Sequence, residues 1–317
     1  MKEIRIYFAD MPVGYTPDDN YLYATLAKQY KPVLDAENPD YLFYSCFGSD
    51  HLKYDRAIKI YFTGENDVPD FNICDYAIAS SLLSFGDRYL RLPLYAVSEG
   101  FNSLFDKVID TEQLAATLAR KKFCNYVYSN PESSSPMRDL FFDRLSQYKP
   151  VDSGGRYRNN IGRNVDDKQA FIRDYKFTIA FENSVLPGYT TEKMTDPMLA
   201  GSMPVYWGNP CINDDFNTES FVWVKDEQSI DAAISEIARL DQDDQAYIEK
   251  MKKPWLINEQ YRDWQALLLQ FLSHIINQGV GARCTTPYGS MYYYGKRYRG
   301  SKKAYANPLL RPIIKKL

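Results

Sequence analysis

The sequence predicts an α/β protein built as two units, each with a mainly parallel sheet. Short runs of β-branched and aromatic residues alternate with amphipathic helical segments along the chain. The chain has 317 residues, more than a single hydrophobic core usually holds. A turn-rich stretch, KPVDSGGRYRNNIG at 149–162, interrupts the alternation. These observations predict two domains, 1–152 and 153–290, followed by a tail at 291–317.

The individual elements are predicted from the periodicity of apolar residues. The predicted strands are 4–8, 41–46, 58–62, 76–79, 126–129, 177–181, 204–207 and 221–224. The predicted helices are 21–30, 111–123, 135–148, 166–175, 190–200, 229–240 and 261–278. Thr111 and Ser135 are expected as N-caps, with Pro136 at the first position of its helix. Phe123 is expected on the apolar face of the helix that Thr111 begins.

Charge is unevenly distributed along the chain. The net charge of −3 argues against general nucleic-acid binding. The tail at 291–317 nevertheless holds eight Lys and Arg and no acidic residue, interleaved with Tyr, Leu and Ile. Such a segment can lie on an anionic membrane surface, and the alternative is a solvated tail that only aids solubility.

The cysteine pattern and the N-terminal sequence favour a cytoplasmic location. The five cysteines form no CxxC pair, which favours buried reduced thiols. The N-terminal MKEIRIYFAD alternates in polarity and has no apolar signal-peptide core, and no stretch of the sequence is long and apolar enough to span a membrane. We therefore expect a cytoplasmic protein, whose tail can place it peripherally on the inner face of the membrane.

The segment FENSVLPGYTTEK at 181–193 combines residue types that suit a nucleotide diphosphate. It follows a predicted strand, and ligands of parallel α/β sheets bind at the carboxyl ends of strands. Asn183 can face a ligand there, and Gly188 allows a tight turn. A helix start capped by Thr190 or Thr191 offers free N–H groups to phosphate.

Two further side chains of this segment carry charge. Lys193 adds a positive charge for the diphosphate, and Glu192 can accept from ribose hydroxyls. The alternative is ordinary capping, because an acid in the first turn also complements the helix dipole. FTGEN at 62–66 ends another strand, so we expect a second site there that faces a cleft shared by the two domains.

Three segments of the sequence resemble a known family. YKFTIAFENSVLPGYTTEKMTDPMLAGSMPVYWGNP at 175–210 resembles the signature of the α-1,3/1,4-fucosyltransferases, glycosyltransferase family 10. IYFTGENDVPDFNICDYAIAS at 60–80, with DRYLRLPLY at 87–95, resembles the family's N-terminal block. SNPESSSPMRDLFFDRL at 129–145 resembles the segment between them. The likeness is greatest to bacterial enzymes that make Lewis-type glycans.

The resemblance implies a fold, a reaction and substrates. The fold is GT-B, two Rossmann-like domains with an intervening cleft. GDP-fucose is the donor, bound mainly by the C-terminal domain, while the N-terminal domain lies on the acceptor side. The transfer inverts the anomeric carbon. N-acetyllactosamine with an α-1,3 linkage is the commonest acceptor of the family, and an α-1,4 linkage to a type 1 chain is the alternative.

The resemblance also assigns residues. Those that match donor-binding positions are Asn183, Tyr189, Glu192, Lys193 and Arg138, the last of which contacts the diphosphate. Glu65 matches the proposed general base, which would accept the proton of the attacking hydroxyl. Lys193, Arg138 and the helix start would stabilise the departing diphosphate without a metal. The chain departs from the family pattern at Leu186-Pro187 and Thr190, with the spacing kept.

No essential metal or cofactor is expected. Asp241-Gln-Asp243 resembles a DxD motif but lies between helices, which favours a surface acidic run. His51 and His274 are far apart in sequence and form no zinc motif. These observations leave Mn²⁺ or Mg²⁺ at most a stimulatory role in product release.

Several residues receive structural interpretations, and two other functions stay open. Trp207 and Gly208 are expected to shape a strand end. The remaining charged residues are interpreted as hinge, surface or packing residues: Arg156, Arg158, Arg163, Lys168 and Asp196. The alternative functions are a GT-B transferase that uses another nucleotide sugar, and a non-catalytic nucleotide- or glycan-binding protein.

Overall fold

The computed structural model describes residues 1–129, 135–286, 288–290, 295 and 308. The chain divides into two compact units. Unit 1 comprises Met1–Ala79, Leu83–Leu92 and the described residues from Gln265 onward, and unit 2 comprises Ser80–Leu82 and Pro93–Trp264. Apart from residues 295 and 308, the predicted membrane-contacting tail lies outside the described residues.

This division corrects the boundary predicted at residues 152 and 153. The turn-rich stretch at 149–162 lies inside unit 2, because the strands on both sides of it belong to one sheet. The chain from Gln265 returns to unit 1, which periodicity along the sequence cannot reveal. Each unit is therefore built from segments that are not contiguous in sequence.

Unit 1 contains a six-stranded sheet in the order β2-β1-β3-β4-β5-β6, with every neighbouring pair parallel. Its strands are β1 (Lys2–Ala9), β2 (Tyr30–Leu34), β3 (Tyr41–Tyr44), β4 (Ile58–Phe62), β5 (Tyr76–Ala79) and β6 (Tyr89–Arg91). Helix α1 (Tyr21–Ala27) ends three residues earlier than predicted. The sequence analysis missed β2 and β6, which are short strands at the two edges of the sheet.

Unit 2 contains a five-stranded parallel sheet in the order β11-β10-β9-β7-β8. Its strands are β7 (Lys122–Tyr126), β8 (Asp152–Ser153), β9 (Tyr175–Phe181), β10 (Met203–Trp207) and β11 (Val222–Trp223). Its helices are α2 (Thr111–Leu118), α3 (Met137–Tyr148), α4 (Lys168–Arg173), α5 (Glu192–Ala200), α6 (Ile230–Gln242) and α7 (Asp244–Lys252). Helix α8 (Trp264–Gln278) begins at the end of unit 2 and continues into unit 1.

Local capping explains where some helices differ from the prediction. Asp110, not Thr111, caps α2 by accepting from the Gln113 amide at 2.9 Å. Helix α2 ends at Leu118, and Phe123 lies in β7 instead of on the helix. Ser135 does act at the start of α3, where its hydroxyl accepts from the Met137 amide at 3.2 Å.

Every residue of β9 is buried, including Lys176, because helices cover both faces of a central parallel strand. Lys176 Nζ lies 2.8 Å from an Asp244 carboxylate oxygen and 3.7 Å from Asp241. The Asp241 side chain is only 7% exposed and also accepts from Lys149 at 3.0 Å. Asp243 caps α7. The predicted surface acidic run is thus wrong for Asp241, which is a buried ion-pair partner.

Asp75 attaches the returning C-terminal segment to unit 1. Its carboxyl group is fully buried, and Oδ2 accepts from the Lys59 amide at 2.8 Å. Oδ1 accepts from the Cys284 and Thr285 amides, each at 2.7 Å, and from the Thr285 hydroxyl at 2.8 Å. One carboxylate therefore joins β4 to the segment that follows α8.

Asp75→Asn should destabilise unit 1 by about 1–3 kcal/mol, because the amide NH₂ would face backbone N–H donors and leave them unpaired. Chemical denaturation of the full chain measures the change. Asp87→Asn is the control, since Asp87 is 67% exposed and its carboxylate pairs with His274 at the surface. We expect a loss below about 1 kcal/mol there. Equal losses in the two variants would contradict the role assigned to Asp75.

Candidate active site

The candidate site lies where the chain leaves the carboxyl end of β9 and enters α5. This short segment carries four of the residues that the sequence analysis singled out, namely Asn183, Tyr189, Glu192 and Lys193. Helix α5 begins at Glu192, and the Thr191 hydroxyl caps it by accepting from the Lys193 amide. The predicted helix start is confirmed, with Thr191 and not Thr190 as the cap.

Glu182, the first residue after β9, organises this helix start. Its side chain is fully buried. Oε1 accepts from the Thr191 amide at 2.8 Å, and the Thr191 hydroxyl lies 2.9 and 3.1 Å from the two carboxylate oxygens. Burial raises the pKa of Glu182, although Lys193 and the Thr191 bonds act in the opposite direction. The carboxylate therefore fixes the N-cap residue through both its backbone and its side chain.

Lys193 brings positive charge to the same point. Its Nζ lies 3.0 Å from the Thr191 hydroxyl, 3.3 Å from Glu192 and 3.5 Å from Glu182. Burial lowers the pKa of Lys193, but the two carboxylates outweigh it and raise the pKa above its usual value. The ammonium group is thus protonated, and its side chain keeps 23% of its surface exposed.

Glu192 is half-buried in the first turn of α5. Burial raises its pKa, but Lys193 and then Lys168 outweigh that effect, so the pKa of Glu192 lies below its usual value. Lys168 is also paired with Asp196 at 2.6 Å, which agrees with the packing role predicted for those two residues. Glu192 is therefore an ionised acceptor at the helix start, where a carboxylate also complements the helix dipole.

Arg138 reaches this region from the first turn of α3. It is only 4% exposed, its guanidinium carbon lies 4.2 Å from the centre of the Tyr128 ring, and Nη2 donates to the Phe181 carbonyl at 2.9 Å. Its Nε is buried and has no hydrogen-bond partner among the residues described by the structure. Arg138 also acts electrostatically on Lys193. The structure therefore brings these two cations, predicted from distant segments, into one electrostatic neighbourhood.

Tyr128 holds Arg138 against β9. Its hydroxyl accepts from the Phe181 amide at 2.7 Å and lies 3.0 and 2.9 Å from the Ile179 and Phe181 carbonyl oxygens. Burial raises the pKa of Tyr128, so the phenol stays neutral. The Tyr128 ring, 4.2 Å from the guanidinium carbon, therefore makes a cation–π contact that holds Arg138 in place.

Asn183 and Tyr189 take different environments. Asn183 is half-buried, and its carbonyl accepts from the Ser135 amide at 2.8 Å, which joins the end of β9 to the start of α3. Tyr189 is only 3% exposed, so its ring offers no open stacking face in this structure. Of the two, Asn183 is the more accessible to a ligand.

Gly208 and Asn209, which directly follow β10, also help to hold the loop between β9 and α5 in place. Asn209 is buried, and its Oδ1 accepts from the Gly188 amide at 2.8 Å. A Cβ on Gly188 would lie 2.5 Å from the Ser80 carbonyl, so this glycine allows close backbone contact within the protein. Gly208 has φ +149°, and a Cβ there would lie 2.5 Å from Cγ of Glu182. Gly208 therefore makes room for the buried carboxylate, in keeping with the role expected of it in shaping the strand end.

Glu65 lies in unit 1, just beyond the carboxyl end of β4. Its amide donates to the Thr63 hydroxyl at 3.0 Å, and its side chain is exposed. Within the described part of the chain, its carboxylate makes no hydrogen bond or ion pair. Glu65 is thus available to an external proton donor at the edge of the sheet where parallel α/β proteins bind ligands.

The other charged candidates do not join the site. Arg158 pairs with Asp139 at 3.1 Å and with Asp143, which fixes it to α3. Arg156 and Arg163 are exposed. Among the described residues, no group of three or more His, Cys, Asp or Glu is arranged to hold a metal ion. In the same part of the chain, no helix is both long and apolar enough to cross a membrane.

Sequence reasoning missed three residues that build the site. Glu182 directly follows a strand whose residues are all buried, and that position was the available signal. Asn209 directly follows Trp207 and Gly208, which the sequence analysis did assign to the strand end. Tyr128 gave no sequence signal, because its role depends on contacts with residues about fifty positions away.

Comparison with known proteins gives consistent results. Residues 6–98 match the N-terminal domain of the α-(1,3)-fucosyltransferase FucT family, and residues 117–268 match the C-terminal part of glycosyltransferase family 10 (fucosyltransferase). The α-(1,3)-fucosyltransferase FucT of Helicobacter pylori is 35% identical over 268 residues, 74% of this chain and 55% of that protein. The chain therefore spans about half the length of this relative.

Solved structures agree with the sequence matches. A crystal structure of an α1,3-fucosyltransferase superposes with a TM-score of 0.74 at 31% identity, covering 87% of this chain and 90% of that one. An α1,3-fucosyltransferase solved with GDP-fucose superposes with a TM-score of 0.69 at 29% identity, over 86% and 90% of the two chains. These matches and the two parallel-sheet units confirm the expected GT-B fold class. The chain belongs to glycosyltransferase family 10, a family of fucosyltransferase enzymes.

Proposed function

We propose that the chain transfers L-fucose from GDP-β-L-fucose to the GlcNAc hydroxyl of N-acetyllactosamine-type glycans, with inversion at the anomeric carbon. The observation that carries this proposal is the start of α5, where the protonated Lys193 lies in the first helical turn and the charge of Arg138 is close enough to affect its pKa. A related enzyme solved with GDP-fucose has the same fold at 29% identity. Family membership makes fucose the first sugar to test.

The donor diphosphate would bind at the start of α5. Free N–H groups and the partial positive charge of the helix favour an anion there. Lys193 can donate three hydrogen bonds, and Thr191, Glu192 and Glu182 already lie within 3.0–3.5 Å of its Nζ, so a phosphate oxygen would replace the longest of these contacts, the one to Glu182. The leaving GDP gains negative charge, which Lys193 and Arg138 would stabilise in the transition state.

The acceptor would be activated from unit 1. The exposed Glu65 carboxylate has no partner within the described residues, as a general base requires. An acceptor hydroxyl would attack C1 of fucose in line with the leaving GDP and pass its proton to Glu65. A single displacement of this kind converts the β-linked donor into an α-linked product.

The finer assignments belong to the same proposal. An α-1,3 linkage in Lewis-type glycans of lipopolysaccharide is the first candidate, with α-1,4 as the alternative. The cations of unit 2 supply charge without an essential metal, and Mn²⁺ or Mg²⁺ can at most stimulate. We also propose a cytoplasmic location, with the basic tail at 291–317 on the inner membrane face.

A product assay tests the reaction. Purified protein is incubated with GDP-fucose and either type 1 or type 2 disaccharide, with and without EDTA. Fucosylated disaccharide identifies the reaction and its linkage, and activity in EDTA supports independence from metal. Protection by UDP and not GDP in a thermal shift would favour a transferase for another nucleotide sugar, and donor binding without any product would favour a binding protein.

Glu65→Gln should lower kcat by about a hundredfold or more, since general base catalysis contributes about 10²–10⁴-fold. The amide cannot take the proton, but it keeps the size of the side chain, so the Kd for GDP should not change. Glu37→Gln, at another exposed glutamate of unit 1, is the control and should keep full activity. A Glu65→Gln enzyme with wild-type kcat would exclude Glu65 as the base.

Gly208→Ala should weaken GDP binding by about tenfold or more, because its Cβ would displace Glu182 and with it Thr191 and Lys193. The loss of one charge-assisted hydrogen bond, about 1.5–3 kcal/mol, corresponds to that factor. Gly201→Ala is the matched control, since Gly201 also has positive φ, +69°, but nothing within 4 Å of a Cβ. The Kd for GDP is measured by calorimetry. The same Kd for both variants would show that the position of Glu182 does not affect donor binding.

A further inference from the structure

A buried Asp–His pair lies at the carboxyl edge of the unit 1 sheet. Asp10 follows β1 in a left-handed conformation, φ +55°, which few non-glycine residues adopt. Its side chain is 6% exposed, and the His51 side chain is 11% exposed. Oδ2 of Asp10 lies 2.7 Å from Nδ1 of His51 and accepts from the His51 amide at 2.8 Å. Oδ1 accepts from the Asp50 amide at 2.8 Å.

The pair fixes the tautomer of the imidazole. Burial raises the pKa of Asp10, but hydrogen bonds from the His51 ring, the His51 amide and the Asp50 amide outweigh it, so the pKa lies below its usual value. When the imidazole carries one proton, an ionised Asp10 holds that proton at Nδ1, which leaves Nε2 as the acceptor. The ring also stacks on Tyr44 with centroids 4.1 Å apart. His51 is therefore held in one orientation.

The second ring nitrogen, Nε2, has no partner among the described residues and is not completely buried. It is not among their buried unpaired polar atoms, so solvent reaches it. Capping of the short 3₁₀ helix Asp50–Lys53 accounts for both oxygens of Asp10. That capping does not account for Nε2 of His51, an oriented nitrogen that has no partner among the described residues.

An exposed aromatic residue lies beside the pair. Phe47 is 51% exposed, and its amide donates to the Asp10 carbonyl at 3.2 Å. Exposed aromatic rings are costly unless they cover an apolar surface, and the C–H face of a pyranose is such a surface. An exposed aromatic residue whose backbone contacts the residue that orients a hydrogen-bond acceptor is a suitable combination for a neutral sugar.

The same edge of the sheet carries Glu65. Strands β1, β3 and β4 are consecutive neighbours, so the loops that follow them begin within about 10 Å of one another. Cys46, just after β3, has its Sγ 3.7 Å from the Thr63 hydroxyl, which accepts from the Glu65 amide. The Asp–His pair and the proposed base thus occupy adjoining loops of one unit.

We propose that His51 and Phe47 form a subsite for a neutral sugar of the acceptor, with Asp10 as the residue that positions His51. Nε2 of His51 accepts a hydrogen bond from a sugar hydroxyl, and Phe47 covers the apolar face of the ring. The subsite rests on the proposed transferase function, because it gives the acceptor a place beside Glu65.

The test is steady-state kinetics of the full chain with varied N-acetyllactosamine and saturating GDP-fucose. His51→Phe keeps the ring stacked on Tyr44 but removes the acceptor nitrogen, and should raise KM for the disaccharide about fivefold to tenfold. Phe47→Ala should raise the same KM. Asp10→Asn should also raise it, because without the Asp10 carboxylate the His51 proton is no longer held at Nδ1. The Kd for GDP and the hydrolysis of GDP-fucose without acceptor should not change.

His274→Phe is the matched control, because His274 is the other histidine of the chain and pairs with Asp87 at the surface of unit 1. Its KM should equal that of the wild type. Wild-type KM values in His51→Phe and Phe47→Ala, with only a lower Tm in Asp10→Asn, would overturn the subsite and leave a capping role.

Direct binding separates this inference from the proposed function. Saturation-transfer NMR with the protein, GDP and N-acetyllactosamine needs no turnover. Wild-type binding that is lost in His51→Phe supports the subsite even if no fucose is transferred, a result that would overturn only the proposed reaction. Binding that persists in His51→Phe and Phe47→Ala overturns the subsite even if transfer occurs.

Discussion

The candidate donor site depends on the hydrogen bonds between the Glu182 carboxylate and Thr191. The carboxylate is fully buried at the end of β9, and it holds the N-cap Thr191 through two kinds of hydrogen bond. A buried carboxylate without partners would destabilise the fold. Thr191, through its hydrogen bonds, and Lys193, through its charge, offset this cost for Glu182. The same buried carboxylate sets glycine at position 208, where a Cβ would occupy its space. Helix α5 therefore begins at one fixed point.

A consequence is that positive charge is oriented before any ligand arrives. Lys193 is already held by Glu182 and Glu192, and Arg138 is fixed by the ring of Tyr128 and the Phe181 carbonyl. Preoriented charges stabilise a transition state better than charges that must reorganise. Unit 1 carries an exposed carboxylate, Glu65, and an oriented imidazole, His51, on adjoining loops.

The sequence predicted the parallel-sheet class, most strands and the start of α5, because periodicity and capping are local signals. The domain boundary could not be predicted, because β7 and β9 lie on opposite sides of a turn-rich stretch yet pair in one sheet. Resemblance indicated Lys193 and Arg138, but not Glu182, whose importance lies in contacts with Thr191 across the loop. Asp10 and His51 are forty-one positions apart, and only the parallel order of β1 and β3 brings them together.

A crystal structure of the protein with GDP would test the central claim most directly. The account predicts the diphosphate at the start of α5, with phosphate oxygens within hydrogen-bond distance of Lys193 Nζ and the Arg138 guanidinium, and Glu182 still bonded to Thr191. A diphosphate bound elsewhere, or one that leaves both cations without contact, would contradict the account and require a different donor site.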